Sequence, residues 1–382
     1  MIALNARNVL TYGAFVIASF AITRWTQASM TLTPAGVAGD FSIEPVLTGL
    51  PNSGAGTIAF SGIGFRSDGE VIVADNANGG IYDMGNDSDN QTAPSPEQND
   101  GAGNAGEIAQ IFSGSSDLYY LSQPTAGQIV QINPATGATI AGSATSLPGA
   151  TGIVILPSNA ASPADLQGHL LVSTTTGPNE GIYDVDPVAR TATLFIPGVD
   201  ADELSSSPDG SVLYVADTLT DKIIGYNTTT KAVVYTSNVI TALGGVAVGI
   251  GNLTGILAAT TTDGNIYEVS LNNSTATLLA TGGSDAEFDD ADPLHPNGPG
   301  LPSLVFSQSD GLYRLDPPGG GFYTSNIGSI QMPEPSGMIL LLLIAPAVCS
   351  RRLRRPHTRL MIALDQAKTN AVGVADTALP SD

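Results

Sequence analysis

Residues 207–236 read SPDGSVLYVADTLTDKIIGYNTTTKAVVYT and carry the pattern that decides the fold. The turn SPDG leads into the apolar stretch LYVAD at Leu213, a polar turn leads to IIGY at Ile223, and a second polar turn leads to AVVY. Pro, Asp and Gly are typical turn residues, whereas Val, Ile and Tyr favour strands. This stretch therefore predicts short antiparallel strands joined by tight turns.

The unit recurs along the chain. Six copies of the IIGY-type strand begin at Ile81, Ile129, Ile182, Ile223, Ile266 and Leu312, at intervals of 41 to 53 residues. A second apolar strand precedes each copy, and candidate inner strands lie further upstream at 62–65, 152–156 and 245–249. Four short antiparallel strands repeated at this interval indicate a β-propeller.

Six copies predict six blades of four strands over residues 36–326, and seven blades are the alternative if the N-terminal segment belongs to another unit. The sixth copy lacks a strand, and we expect residues 41–47 to supply it and close the ring. Composition agrees with an all-β class, because the chain has 44 Gly and 25 Pro and only 13% charged residues.

The charge of the chain excludes one class of partner. The net charge is -22, and between Met30 and Glu334 five basic residues face 32 carboxylates. Nucleic acid binding needs clustered positive charge, so we expect no nucleic acid partner. The single cysteine, Cys349, excludes a disulfide within the chain.

The N-terminus has the layout of a secretory signal peptide. Arg7 precedes a mostly apolar run at 9–22, and small residues follow near Ala28. This run is short for a membrane span, so we predict a signal helix that is removed as residues 1–28. An uncleaved N-terminal anchor is the alternative.

The C-terminal region carries a second targeting pattern. Pro333, Glu334 and Pro335 precede an apolar run at 338–349, and an arginine cluster follows at Arg351, Arg352, Arg354 and Arg355. This order resembles the PEP-CTERM sorting signal of Gram-negative and related bacteria. The resemblance implies an exosortase-like processing enzyme and transient contact with the inner membrane through a short hydrophobic helix. A plain C-terminal membrane anchor is the alternative.

Beyond the propeller we expect three segments: a linker at 327–331, a sorting segment at 332–355 and a disordered tail at 356–382.

The SPDG and LYVAD stretches resemble those of NHL-like, YVTN-like and gluconolactonase-like propellers. The last of these resemblances implies one enzymatic alternative, a metal-dependent lactonase with oxygen ligands around a central cation. Asp202 stands where that family has Asn, with Glu203 beside it, but Gly244 or Gly245 stands where the family would supply Asp.

Two acidic segments interrupt the repeat, at 85–106 and 284–300. The second contains Asp285, Asp289, Asp290 and Asp292. Hard oxygen ligands of this kind suit Ca²⁺, which is the one cofactor that the sequence suggests, although neither segment has EF-hand spacing. Solvated loops are the alternative.

These observations together favour an exported, non-enzymatic propeller at the cell surface or in the extracellular matrix. We expect it to bind an envelope glycan or protein and to be linked to the exosortase and exopolysaccharide system. The alternative is a secreted lactonase-type hydrolase. No catalytic residue is predicted, because no Ser, His and Asp set or HExxH spacing occurs.

Overall fold

The structure is a computed structural model, and it describes residues 30–49, 62–66, 70–86, 88–101, 103–113, 116–157, 161–175, 180–283, 289–297, 301–308, 311–323 and 327–328. The chain divides into two units, residues 1–328 and 329–382, and all of the described residues lie in the first. The predicted signal helix, the sorting motif and the hydrophobic C-terminal helix fall outside the described residues. None of the described helices is long and apolar enough to cross a membrane.

The described residues form six antiparallel sheets, which are the six blades of a β-propeller. This confirms the predicted fold class, and the seven-blade alternative is wrong. Four strands follow one another in chain order from the axis outward in blades 1 to 5. In blade 6 the fourth strand comes from the N-terminal part of the chain.

The strands of the first three blades, from inner to outer, are as follows. Blade 1 contains Gly62–Phe65, Val71–Asp75, Gly80–Asp83 and Gln98–Asn99. Blade 2 contains Ile108–Ser113, Ser116–Gln123, Gln128–Ile132 and Thr145–Ser146. Blade 3 contains Ala150–Ile155, Leu170–Thr174, Gly181–Asp186 and Thr191–Pro197.

The other three blades follow the same order. Blade 4 contains Ala201–Ser206, Val212–Asp217, Lys222–Asn227 and Val233–Thr236. Blade 5 contains Leu243–Gly251, Ile256–Thr261, Ile266–Ser270 and Ala276–Thr281. Blade 6 contains Asp289–Asn297, Leu301–Gln308, Gly311–Asp316 and Ser42–Thr48.

The ring closes where the sequence predicted. The strand Ser42–Thr48 pairs antiparallel with Gly311–Asp316, so the two ends of the repeat share one sheet. Pro45 lies beside a register shift in this strand, a position where the missing N–H is tolerated. Closure removes an open seam between the first and last blades.

Short segments extend three of the sheets. Thr31–Leu32 adds to the outer edge of blade 5 and is followed by the helix Pro34–Ala38, which Thr33 caps by accepting from the Gly36 N–H. Gln91–Thr92 pairs in parallel with the outer strand of blade 6. Gly320–Phe322 and Ile327–Gly328 pair with the inner strands of blades 5 and 2.

Apolar side chains fill the space between neighbouring blades. Between blades 3 and 4, for example, Ile182 and Phe195 pack in one cluster with Leu213 and Val215. Burying one such side chain stabilises the fold by roughly 1.5–3 kcal/mol. The second strands Val71–Asp75 and Leu170–Thr174, for example, are buried along their whole length, which explains why they are mostly apolar.

The inner strands approach each other closely at glycines. A Cβ atom at Gly62 would lie 2.5 Å from the carbonyl oxygen of Gly106, and one at Gly152 would lie 2.5 Å from that of Asp202. Each contact joins the inner strand of one blade to the start of the next. Glycine at these two positions therefore allows backbone contact around the axis.

The acidic segment at 284–300 differs from its predicted role as an insertion. Residues Asp289–Asn297 within it form the inner strand of blade 6, paired with Leu301–Gln308. The segment at 85–106 is likewise not a simple loop, because it supplies Gln91–Thr92 and the outer strand Gln98–Asn99. Both segments lack the apolar alternation by which strands are recognised in a sequence.

Candidate functional site at the central channel

The face of the propeller on which the inner strands begin, called here the upper face, carries a repeated irregularity. The inner strands of blades 3, 4 and 5 shift register against their second strands between Ala150 and Ile153, Ala201 and Leu204, and Leu243 and Gly245. Such β-bulges re-aim side chains and recur beside functional sites. In blade 4 the residues within the bulge are Asp202 and Glu203.

Glu203 holds two blades together. Its side chain is 1% exposed, and its Oε2 atom accepts the backbone N–H of Val246 in blade 5 at 3.3 Å. A hydrogen bond from a neutral donor to a carboxylate is stronger than one between neutral groups. Glu203 therefore links the inner strands of blades 4 and 5.

Glu107 repeats this arrangement two blades earlier. It precedes the inner strand of blade 2, is buried, and accepts the backbone N–H of Ile153 in blade 3 through Oε2. Sequence reasoning missed Glu107. The signal that would have found it is the match between EIAQ at 107–110 and ELSS at 203–206, an acid directly before a buried strand.

We call the upper-face end of the channel, where the bulge of blade 4 carries Asp202, the channel mouth. Burial, with a smaller contribution from Asp200, raises the pKa of Asp202 from 3.8 to about 6. The pKa of Asp200 is also raised, first by burial and then by the charges of Glu180 and Asp217. Burial and neighbouring carboxylates thus disfavour the charged forms of Asp200 and Asp202.

The predicted metal ligands do not assemble into a metal centre in the part of the chain that the structure describes. Among those residues, no group of three or more His, Cys, Asp and Glu side chains is arranged to hold a metal ion. Asp202 and Glu203 are neighbours in one bulge. Gly244 lies within the equivalent bulge of blade 5, Gly245 follows it, and neither offers a side-chain ligand.

Asp292 has a partner of the opposite charge. Its Oδ2 atom lies 3.0 Å from Nη2 of Arg314, which also contacts Asp89 through Nη1. Asp289 and Asp290 pair with Phe306 and Val305 in the sheet, but their side chains lie outside the described part, as does the whole of Asp285. One carboxylate from each acidic segment therefore neutralises a buried arginine.

The lower part of the channel contains the end of the propeller chain itself. Gly320–Phe322 pairs antiparallel with Gly249, Ile250 and Gly251 on the free edge of the inner strand of blade 5. The N–H of Tyr323 then donates to the carbonyl of Val248 at 2.7 Å. Inner strand edges face the axis in a propeller, so this segment lies along the channel wall.

The same segment reaches the opposite wall. Ile327 and Gly328 pair in parallel with Gln110 and Ile111 of blade 2, which stands across the ring from blade 5. Phe322 is 1% exposed, and burial raises the pKa of Tyr323 to about 12. We call residues 320–323 and 327–328 the channel segment. It uses backbone groups of the channel wall that would otherwise be open to a ligand.

His169 contacts carboxylates on the neighbouring strand. It precedes the second strand of blade 3 on the lower face, where its Nδ1 atom lies 2.7 Å from Asp184 Oδ1. Its Nε2 atom lies 3.7 Å from Asp186 Oδ2. The histidine therefore makes a hydrogen bond or an ion pair between adjacent strands of blade 3.

Comparison with known proteins supports the fold and leaves the family open. No protein-family model matches the chain. No curated protein matches it either. Solved structures do match.

A luciferin-regenerating enzyme superimposes with a TM-score of 0.53 at 11% identity, over 76% of this chain and 100% of that one. A streptogramin B lyase and the virginiamycin B lyase from Staphylococcus aureus each cover 72% of this chain and 98% and 99% of theirs, with TM-scores of 0.42 and identities of 13% and 12%. The likeness to the first shows the fold. At such identities it carries nothing about substrate or catalysis.

Proposed function

We propose that this protein is an exported, non-enzymatic β-propeller that binds a glycan or protein of the cell envelope at the cell surface or in the extracellular matrix. The observation that carries the non-enzymatic part is the channel segment. Because residues 320–322 and 327–328 pair with the inner strands of opposite blades, the axial space in which a propeller enzyme places its cofactor or metal is partly filled by the chain itself.

The carboxylates at the channel mouth support the same proposal. Glu107 and Glu203 each accept a backbone N–H from the next blade, so both serve the junction between inner strands. Asp202 is the remaining predicted ligand there, and burial raises its pKa to about 6. One carboxylate is a poor site for a hard cation, which takes several oxygen ligands.

Export and sorting are the parts of the proposal that rest on sequence. The apolar run at 9–22 would direct the chain across the inner membrane, and Pro333, Glu334 and Pro335 begin only a few residues after Gly328. An exosortase-like enzyme that cuts near this motif would release the propeller with its channel segment in place.

Processing in the native host tests the export proposal. We expect the mature protein in the envelope or medium fraction, without residues 1–28 and without the arginine cluster, as read by mass spectrometry of both termini. Exchange of Arg351, Arg352, Arg354 and Arg355 for glutamine should leave the protein unprocessed. Intact full-length chain in the cytosol would refute the proposal.

The alternative is a secreted lactonase-type hydrolase, which the position of Asp202 and Glu203 at the channel mouth favours. Metal analysis of the purified full chain, followed by a lactone hydrolysis assay, separates the two functions. A stoichiometric divalent metal and a hydrolysis rate that Asp202→Asn abolishes would replace the binding function with the enzymatic one.

A further inference from the structure

The chain itself shows how an outer blade edge receives an added strand. At blade 5, Thr31 and Leu32 pair with Thr281 and Ala280, and the N–H of Thr33 donates to the carbonyl of Leu279 at 2.8 Å. The hydroxyl of Thr33 also donates to the carbonyl of Leu278 at 2.6 Å. Under this cover Leu279 is only 3% exposed.

The outer strand of blade 4 has the same bulged geometry as that of blade 5, but no described strand pairs with its outer edge. The outer strands of blades 4 and 5 each contain one bulged residue, Val234 between Val233 and Tyr235, and Leu279 between Leu278 and Ala280. Val233 and Val234 thus correspond to Leu278 and Leu279. They are 55% and 56% exposed, and within the described part of the chain no strand pairs with this edge.

The surroundings of this edge differ in charge from the rest of the propeller. Of the five basic residues between Met30 and Glu334, Arg66 and Arg314 are engaged with carboxylates. Arg190, Lys222 and Lys231 make no ion pair with any described residue. The two lysines belong to blade 4.

The two lysines flank the exposed edge. Lys231 comes two residues before Val233, and its Nζ atom lies 4.5 Å above the ring of Phe195 in blade 3. Lys222 begins the third strand of blade 4, whose next residue, Ile223, accepts the N–H of Ser237 just beyond the edge strand. Cations therefore stand at both ends of an apolar edge on a strongly acidic protein.

We propose that the edge strand Val233–Thr236 of blade 4 is a docking site for an extended acidic segment of a partner protein, which adds as a fifth strand. The backbone supplies the carbonyls of Val233 and Val234, and the lysines pair with acidic side chains of the partner. The proposal rests on the binding function proposed above and states where and what the protein binds.

Several features favour a peptide over other occupants. Strand addition uses backbone donors spaced along an extended chain, and blade 5 seats such a chain on the equivalent atoms. The bulge at Val234 disfavours simple edge-to-edge pairing of two copies, and two bodies of high negative charge repel each other. Acidic residues in the partner match Lys222 and Lys231.

Fluorescence anisotropy with the full chain tests the proposal. The probe is the labelled peptide Glu-Glu-Met-Thr-Leu-Thr-Glu-Glu, which places the chain's own sequence 30–33 between acidic pairs. We expect saturable binding, and no binding when proline replaces the second threonine. This residue corresponds to Thr33, whose N–H donates to the edge of blade 5, and proline lacks that donor.

Two protein variants locate the site. The double variant Lys222→Glu with Lys231→Glu should bind the peptide about tenfold more weakly, since two exposed ion pairs are lost. Arg190→Glu makes the same kind of charge change on blade 3 and should bind within about twofold of the unchanged chain. Equal loss in both variants, or no saturable binding, would overturn the proposal.

The other occupants give distinct results. Sedimentation of the full chain as a dimer that the double lysine variant dissociates would make the occupant a second copy. Polygalacturonate that binds more tightly than the peptide and is lost in the double variant would make it an acidic glycan. Either result overturns the peptide proposal but leaves the export and non-enzymatic function standing, which processing and metal analysis test separately.

Discussion

Arg314 Nη2 lies 3.0 Å from Asp292 Oδ2, and both side chains are only 1% exposed. Arg314 comes from the third strand of blade 6 and Asp292 from its inner strand, while Nη1 of the same arginine contacts Asp89, which lies between the third and outer strands of blade 1. The arginine thus joins the last blade to the first at the closure of the ring.

Removal of this arginine should destabilise the protein strongly. Arg314→Met leaves Asp292 buried without its cation, and breaking a buried ion pair on one side costs about 3–5 kcal/mol. The free energy of unfolding from urea titration measures this loss. Arg190→Met, at an exposed position, is the control and should stay within about 0.5 kcal/mol of the unchanged protein. Similar losses in the two variants would contradict the structural role of the ion pair.

The strand that closes the ring should be equally important. Leu47 is fully buried among side chains of blades 1 and 6, including Ile63 and Val305. Leu47→Ala should lower the free energy of unfolding by about 2–5 kcal/mol and speed amide hydrogen exchange in Gly311–Asp316. Val37→Ala, at a side chain that is 60% exposed, provides the matched control. Unchanged exchange in Gly311–Asp316 would argue against closure by this strand.

Substitution of Phe322 tests whether this side chain holds the channel segment in place. Phe322 packs in the cluster that contains Leu304 and Phe306 of blade 6. Phe322→Ala should cost about 3–5 kcal/mol and should expose the N–H of Tyr323, which now donates to Val248, to hydrogen exchange. Val239→Ala, at an exposed position, is the control. Slow exchange at Tyr323 in Phe322→Ala would show that the segment is held by other contacts.

Variants of Glu203 distinguish a role in the junction between two blades from a role as a metal ligand. Glu203→Gln keeps an oxygen acceptor for the N–H of Val246, so its loss of stability should be smaller than that of Glu203→Ala, which leaves the N–H unsatisfied and costs about 1–3 kcal/mol. Thermal unfolding with excess EDTA and with excess Ca²⁺ measures both effects. A metal-dependent stabilisation that both variants lose would instead support a metal ligand.

Asp202 makes stability depend on pH. Its folded pKa of about 6 lies above the unfolded value, so between these values the folded state binds more protons, and stability falls as pH rises through about 6. Asp202→Asn should remove this fall and raise the free energy of unfolding at pH 7.5 by about 1–2 kcal/mol, allowing for partial solvent screening. At pH 4 the two proteins should be equally stable, and a constant difference at both pH values would refute the titration of Asp202.

The repeat could be predicted from the sequence because the apolar pattern of each strand matches the burial of its side chains between blades. VIVAD at 71–75, LYVAD at 213–217 and their equivalents are second strands, buried on both faces, so burial selects the apolar residues from which the strands were recognised. The missing strand of the sixth blade was predictable for the same reason, because each blade needs four strands to cover its neighbours.

The inner strand of blade 6 could not be predicted from the sequence. Its sequence, DDADPLHPN, has no apolar alternation, and its place in the sheet depends on Arg314, which comes from a strand more than twenty positions later. The role of Glu107 was hidden in the same way, since its partner is a backbone N–H in another blade. A sequence shows which residues are charged but not which distant groups neutralise them.

The amino-acid sequence by itself determined the blade repeat, the all-β class and the acidic character of this protein, because these follow from periodicity and composition along the chain. Only the tertiary structure decided that residues 320–323 and 327–328 line the channel, that Asp292 pairs with an arginine, and that a strand covers the outer edge of blade 5 while no described strand covers that of blade 4. These features depend on contacts between segments far apart in the chain, and packing around a common axis brings those segments together.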